Sequence, residues 1–277
     1  MNAQSLNNKN DQLRDLFSTI GNPYIICFQE CWHGSLSLSD YHPIIKKDRQ
    51  ITEGGGVAML IHKSCKVKVL PSPFIEGLFE TQCCEIALGN ETFRIYNIYR
   101  PPRNKNKTMF LDFIKLLKID PSFKNNILVG DINFDLDDPE NSDISAIFAT
   151  LNMSTLVDIP TRVNENSATV IDHAYSSLKN TKCLVLQSDI SDHFGVAMIK
   201  DNLRKIKSDR PKTNALAPRQ DSRSLDYFVA YIKWMRDTGM FNQVINNDTT
   251  EAFSIFQKAR VLQCSSNRQS PNSNPPL

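Results

Sequence analysis

The chain has 277 residues, enough for one large domain or two modest ones, and its 40 % hydrophobic content allows a substantial core. The net charge of +2 hides a division: residues 1–200 carry 20 basic and 23 acidic groups, while residues 201–277 carry 12 and 7, so any polyanion-binding surface has to be local. The longest apolar run, Val57 to Ile61, falls far short of the roughly 20 residues of a membrane span; the N-terminus lacks the apolar stretch of a signal peptide; and seven cysteines without regular spacing predict reduced thiols in an intracellular protein.

Leu13, Leu16, Phe17 and Ile20 follow the i, i+3, i+4, i+7 rule, which predicts a helix over about residues 8–20, ended by Gly21. "PYIICFQE" reads as a buried strand, and "GGGVAMLIHK" as a flexible turn followed by a strand. "KVKVLP", "TQCCEIAL" and "TFRIYNIY" are further strands, separated by Gly, Asn and Pro. "KTMFLDFIKLL" is helical, "NNILVGD" a strand, "DISAIFATLN" a helix, and "TVIDHAYSS", "KCLVLQS" and "HFGVAMIK" three more strands. Consecutive strands with three interspersed helices predict an α+β fold of packed sheets flanked by helices rather than a regular βαβ alternation. Composition changes near residue 201. A basic, proline-broken linker is expected over 201–222, a helical segment over 223–264 and a disordered tail over 265–277.

Polar residues collect where the strands end. "IICFQE" ends in Glu30, "IYNIY" in Tyr99, and "ILVGD" in Asp131, with Asn133 and Asp135 at the next alternate positions. "TVIDH" carries Asp172, and "SDISDHFGV" carries Ser191, Asp192 and His193. Asn2 precedes the first helix. If the strand continued past Asp131, the three polar groups would share a face opposite Ile132, Phe134 and Leu136; an ordinary strand end running into a turn is the plain alternative. A sheet edge lined with Glu, Asp, Asn and His suits a hard cation. Rival motifs fail. The Asp131–Asn133–Asp135 spacing would suit a calcium loop, but Leu136 and Ser142 stand where that loop needs Gly and Glu. "EGGG" lacks the Lys of a phosphate loop, Ser191 has no nucleophile elbow around it, and Cys27, Cys31 and His33 lack a second pair for zinc.

In this order the motifs resemble the endonuclease/exonuclease/phosphatase superfamily, with its DNase-I-like fold, and within it the endonuclease domain of non-LTR (LINE-type) retrotransposon proteins. The carrying stretches are "NAQSLNNKNDQL", "CFQECW", "GGGVAMLI", "YNIYRPP", "ILVGDINFDL", "PTRVNENSATVIDHAYS" and "SDISDHFGV", over about residues 2–199. The resemblance implies a four-layer α/β/β/α sandwich, to which the sequence adds a C-terminal helical extension. It also implies Mg²⁺-dependent hydrolysis of a phosphodiester, a nick in DNA, with Mn²⁺ as a substitute ion. Glu30 would ligate the ion, Asn2 would hold a bound water or a ligand carboxylate, and Asp192 would join the metal side. Asp131 would orient or deprotonate the attacking water, Asn133 would position it, Asp172 would orient His193, and Tyr99 would donate to the phosphate. Whether Asp131 or His193 takes the proton stays open at this stage. Arg100, Arg103, Lys105 and Lys107 would form a DNA-binding patch, with Thr161, Arg162 and Ser191 as further contacts.

Family members begin with a strand before the Asn. Here that strand is expected to be missing, with Asn2 on a fraying terminus. They also continue into a reverse transcriptase, of which this sequence shows only a linker and two helical patterns. The expectation is a retroelement fragment, nuclear in location, with a degenerate, inactive remnant or a nucleic-acid-binding module as the alternative, and an abasic-site endonuclease or phosphatase of the same fold as a further one.

Overall fold

In chain order the elements are α1 (Asn10–Thr19), β1 (Ile25–Gln29), β2 (Ile45–Lys47), β3 (Val57–Ile61), β4 (Lys66–Leu70), β5 (Phe74–Ile75), β6 (Phe79–Leu88), β7 (Glu91–Tyr99), α2 (Lys107–Leu116), β8 (Asn126–Asp131), α3 (Ser142–Thr150), β9 (Ser154–Thr155), β10 (Arg162–Val163), β11 (Ala168–Thr169), β12 (Asp172–Ser176), β13 (Thr181–Leu186) and β14 (Gly195–Lys200). This computed structural model describes residues 1–200, all within a unit spanning Met1–Asp209. The linker, helical segment and tail expected after residue 200 lie outside the described residues.

Two sheets carry the fold. A small one has the order β1-β3-β2, and a larger one the order β4-β6-β7-β8-β12-β9, with β5 paired to β6. The helices' apolar spacing decides which outer face each covers. Leu13 and Phe17 of α1 pack with Ile26 and Phe28 of β1 and Leu60 of β3. Phe110 and Phe113 of α2 and Ile144 and Phe148 of α3 pack with Phe79, Tyr96, Ile98, Leu128 and Tyr175 of the large sheet. Between the sheets lie Met59 and Ile61 of β3 against Cys84, Ile86, Phe93 and Ile95 of β6 and β7. The β13–β14 hairpin brings Val185, Val196 and Met198 to Val129 and Ala174 of the large sheet. The result is a four-layer α/β/β/α sandwich. Alternation along β7 serves both sides of its sheet: Phe93 and Ile95 face the small sheet, while Tyr96 and Ile98 face the helices.

Register determines what reaches the sheet's end. Glu80 stands opposite Tyr99, Tyr99 opposite Asp131 in the parallel β7–β8 pair, and Asp131 opposite Asp172 in the antiparallel β8–β12 pair. Four polar side chains from four neighbouring strands therefore form one row. The small sheet contributes through β1, whose last residue precedes Glu30.

The structure alters three expectations. First, the alternation beyond Asp131 stops, because Asn133 takes a left-handed φ of +54° and turns the chain away. Asp135 leaves the row and accepts the Val170 N–H at 2.8 Å instead. Second, the segment at Asn2 is fastened rather than frayed. Gln29 N–H donates to the Met1 carbonyl at 3.1 Å and Ala3 N–H to the Gln29 carbonyl at 2.9 Å, so residues 1–3 run alongside the end of β1, and Asn2 is 0 % exposed. Third, the glycine turn after Glu53 is held in place. Glu76 accepts from the N–H groups of Gln50, Ile51 and Thr52, which hold its carboxyl down at about 2, the bond from Gln50 foremost. Glu80 accepts from Gly56 N–H at 2.6 Å and from Arg49 Nε at 2.6 Å.

One glycine governs the placement of the row. A Cβ at Gly130 would stand 1.8 Å from the Ile98 carbonyl oxygen and 2.7 Å from its carbon, so β7 and β8 approach this closely only without a side chain there. Gly130→Ala should destabilise the protein by about 2 kcal/mol or more, read as a lower urea midpoint with an unchanged slope. A midpoint equal to the wild type's would contradict this packing.

Candidate active site

Asp131 is the centre of the row and is 1 % exposed. Its Oδ2 accepts from Asn2 Nδ2 at 2.8 Å, and its Oδ1 from the Asn133 N–H at 3.2 Å. The same Asn2 amide donates to Glu30 Oε1 at 3.0 Å, so one NH₂ group links the carboxylates of the two sheets. Tyr99 OH donates to the same Glu30 oxygen at 2.8 Å. Burial, then the adjacent Glu30 carboxylate, pushes the Tyr99 hydroxyl well above its ordinary range, so it acts as a donor throughout neutral pH.

On the other side of Asp131, His193 Nδ1 donates to Asp172 Oδ2 at 2.8 Å. The backbone here is held by Thr161, whose Oγ1 accepts from the N–H groups of Ile171 and Asp172 at 3.2 and 2.9 Å. Ser191 Oγ donates to the Asn2 carbonyl at 2.7 Å and accepts the His193 N–H at 3.2 Å. Burial alone would lower the His193 pKa, but the Asp172 carboxylate raises it to about 9, so the ring is an imidazolium at neutral pH. Its Nε2 lies 3.9 Å from Asp192 Oδ1, beyond hydrogen-bond reach. His173, next along β12, is the opposite case. Burial lowers it to about 4; its Nε2 donates to the Phe134 carbonyl at 2.7 Å and its Nδ1 accepts from Tyr175 OH at 3.2 Å, so it is a neutral core residue.

Burial, then the nearby Asp172, raises the Asp131 pKa, while His193 and the Asn2 amide pull the other way. Asp172 Oδ1 is buried with no hydrogen-bond partner. One carboxylate oxygen each of Asp131 and Asp172 and one ring nitrogen of His193 all lie within 4.8 Å of one another. Crowded, desolvated carboxylates with an orphaned oxygen are what a divalent cation relieves. The Asp131–Asp172 pair therefore fits a hard, oxygen-seeking ion, with Glu30 joined to it through the Asn2 amide.

The structure brings together Asn2, Glu30, Tyr99, Asp131, Asp172 and His193; Asn133 joins them through its backbone N–H, while its side-chain amide, expected to position the water, donates to the Arg100 carbonyl at 2.9 Å. It redefines several other residues that the sequence placed at the site. Arg100 was expected to contact DNA, yet it is 1 % exposed. Its guanidinium donates to the carbonyls of Ile132, Asn133 and Asn104 and lies 3.7 Å from the Phe134 ring centroid. It therefore shapes the loop after Asp131, and burial lowers its pKa to about 10. Thr161 is buried and Ser191 is engaged with the backbone, so both hold neighbouring residues in place instead of facing a ligand. Lys107 Nζ pairs with Asp143 at 3.2 Å and with the Glu140 carbonyl. Asp192, expected on the metal side, is tied by Arg162 through Nε at 2.8 Å and Nη2 at 2.5 Å, and by the Gln4 amide. Of the expected positive patch, Arg103 and Lys105 are exposed.

Sequence reasoning missed two neighbours of the site. Glu80 completes the row but is already satisfied by Arg49, Gly56 and Gly77; only register could have revealed it. Trp32 Nε1 donates to Glu30 Oε2 at 3.2 Å. Cys27 and Cys31 are free thiols, with Cys27 pushed up to about 12 by burial, a poor state for metal ligation.

A model described as the endonuclease/exonuclease/phosphatase family matches residues 1–193. A comparison with curated protein sequences finds no match. Among solved structures, the endonuclease domain of TRAS1, a telomere-specific non-LTR retrotransposon, is similar with a TM-score of 0.58 at 17 % identity, over 74 % of this chain and 97 % of that one. The 3′-5′ exonuclease NExo from Neisseria meningitidis gives 0.52 at 18 %, over 72 % and 97 %. A humanized D. rerio TDP2 carrying 14 mutations gives 0.50 at 13 %, over 71 % and 94 %. At these identities the likeness is one of fold.

Because the His193 pKa in the folded chain exceeds its unfolded value, the stabilisation from Asp172 is complete below about pH 6.5 and is lost as pH rises through about 9. Without divalent ions, the melting temperature should fall by roughly 5 °C between pH 7 and 9.5, and His193→Gln should flatten that fall. Parallel curves for the two proteins would contradict the pairing.

Proposed function

The chain belongs to the endonuclease/exonuclease/phosphatase family, and on that premise we propose that it is a Mg²⁺-dependent hydrolase that nicks DNA phosphodiesters. The observation that carries this reading is the Asn2 amide bridging Glu30 and Asp131 beside the His193–Asp172 pair, which sets a cation site next to an imidazolium. Retrotransposon target-site cleavage is the biological setting we infer; the motif order of the sequence supports it, as does likeness to a fold that also serves a retrotransposon endonuclease.

Asp131, Asp172 and Glu30 would hold the ion; when bound, it withdraws charge from a phosphoryl oxygen and offsets charge on the leaving oxygen. Asp131 is the group suited to take a proton from water. Its Oδ1 is positioned by the Asn133 N–H, while Oδ2 is held by the Asn2 amide. Asp172 occupies Nδ1 of His193 and holds the ring protonated in the ion-free chain, which favours Nε2–H as a donor to a phosphate oxygen. Asp172 fixes the ring and its tautomer through Nδ1. Water adds to phosphorus and the P–O ester bond breaks, leaving a phosphomonoester and a hydroxyl. Arg103 and Lys105, both exposed, would meet the DNA backbone.

Cleavage of supercoiled plasmid, an abasic duplex and a phosphomonoester, compared side by side with Mg²⁺ and with chelator, tests the reading. Plasmid nicking should dominate and vanish with chelator. Asp131→Ala should lower its rate by roughly 10²–10⁴; nicking by that variant at the wild-type rate would overturn the assignment.

A further inference from the structure

Trp32 stands at the rim of the acid cluster with 44 % of its surface exposed. An exposed tryptophan alone is ordinary, but tryptophan is enriched at contact surfaces, where one edge is polar and the rest apolar. This one is also held in place. Its Nε1 donates to Glu30 Oε2 at 3.2 Å, and its backbone N–H to the Gly55 carbonyl at 3.0 Å. A Cβ at Gly54 would stand 3.6–4.0 Å from Nε1, Cε2 and Cδ1 of the indole, so the glycine turn lies against part of the five-membered ring.

The backbone around it is strained. Glu30, Trp32 and His33 take left-handed φ values of +54°, +48° and +58°, which non-glycine residues rarely adopt. Gly54, Gly55 and Gly56 face them with +76°, +60° and +84°. Such strain collects where a side chain has to be presented in a particular direction. Here the result is an indole whose polar edge is bonded to Glu30, whose five-membered ring lies partly against the glycine turn, and of which a little under half meets solvent. Beside a phosphate held at Asp131 and His193, the apolar surface a nucleic acid can offer is the face of a base. In an intact duplex that face is covered by its neighbours.

We propose that Trp32 stacks on a nucleobase that is unpaired or turned out of the duplex beside the scissile phosphate. The preferred substrate is then nucleic acid with a local unpaired nucleotide. This inference rests on the hydrolase reading above, and its test separates the two. Trp32 and Trp234 are the two tryptophans of the chain, so a Trp234→Phe background leaves Trp32 as the fluorophore. In chelator, a short single strand should quench its fluorescence, and a blunt duplex of the same sequence should not. With Mg²⁺, Trp32→Ala should raise KM for a duplex carrying an unpaired nucleotide about tenfold and change kcat less than threefold. Trp32→Phe, which keeps a ring but loses the bond to Glu30, should recover most of that KM. Absence of quenching, or equal losses of kcat at constant KM in both variants, would overturn stacking; the second result would mean that the indole acts only by positioning Glu30. Quenching without cleavage of any substrate would leave stacking standing and remove the hydrolase reading. Cleavage without quenching would do the reverse.

Discussion

Carboxylates from two sheets meet in a desolvated place, and their repulsion is the constraint on which the rest of this structure depends. β-pairing sets Tyr99, Asp131 and Asp172 side by side, and the end of β1 adds Glu30. Negative charges removed from water in this way are stable only with compensation. Three partial compensations are built into the chain. The Asn2 amide donates to Glu30 and Asp131 together, His193 donates to Asp172, and the buried Arg100 guanidinium braces the loop that follows Asp131. They leave Asp172 Oδ1 without a partner and Asp131 raised in pKa. A bound cation would complete the set, so the folding problem and the proposed chemistry would have a common solution.

The rest of the sandwich can be understood as support for that meeting point. Gly130 permits the close approach of β7 and β8 that aligns Tyr99 with Asp131. Thr161 and Ser191 spend their hydroxyls on backbone N–H and carbonyl groups around Asp172, Asn2 and His193. Lys9 Nζ donates to the carbonyls of Ala3 and Ile190, both at 2.6 Å, joining the segment at Asn2 to the loop before His193. None of these groups need touch substrate, yet each limits how far the reacting side chains can drift, and small displacements in such sites are costly in rate.

Most of the fold was legible because it rests on periodicity. The Leu13/Phe17 spacing of α1 survives into the structure unchanged, since it buries the face its pattern marks, and the apolar stretch read as β7 is a strand buried on both faces. Short strands such as β2, β5 and β9 were not legible; two or three residues carry no period. The site residues at strand ends were legible as types, because Glu30, Asp131, Asp172 and His193 interrupt apolar runs. What could not be read was direction. Arg100 looks like its exposed neighbour Arg103 in sequence, and burial under the Asp131 loop is a tertiary fact. Thr161 and Ser191 have the composition of ligand contacts but serve the backbone. The glycine turn looks flexible until Glu80 is seen to bind the Gly56 N–H and Glu76 the N–H groups just before the turn, and Trp32 gave no signal because a single tryptophan in a loop has no pattern.

The central claim is that Glu30, Asp131 and Asp172 share one divalent ion. The most direct measurement is anomalous scattering at the manganese edge from crystals grown with Mn²⁺. The account predicts one strong peak between these three carboxylates and beside His193. A site that stays empty at saturating Mn²⁺, or a peak elsewhere that leaves Asp172 Oδ1 without a partner, would contradict it.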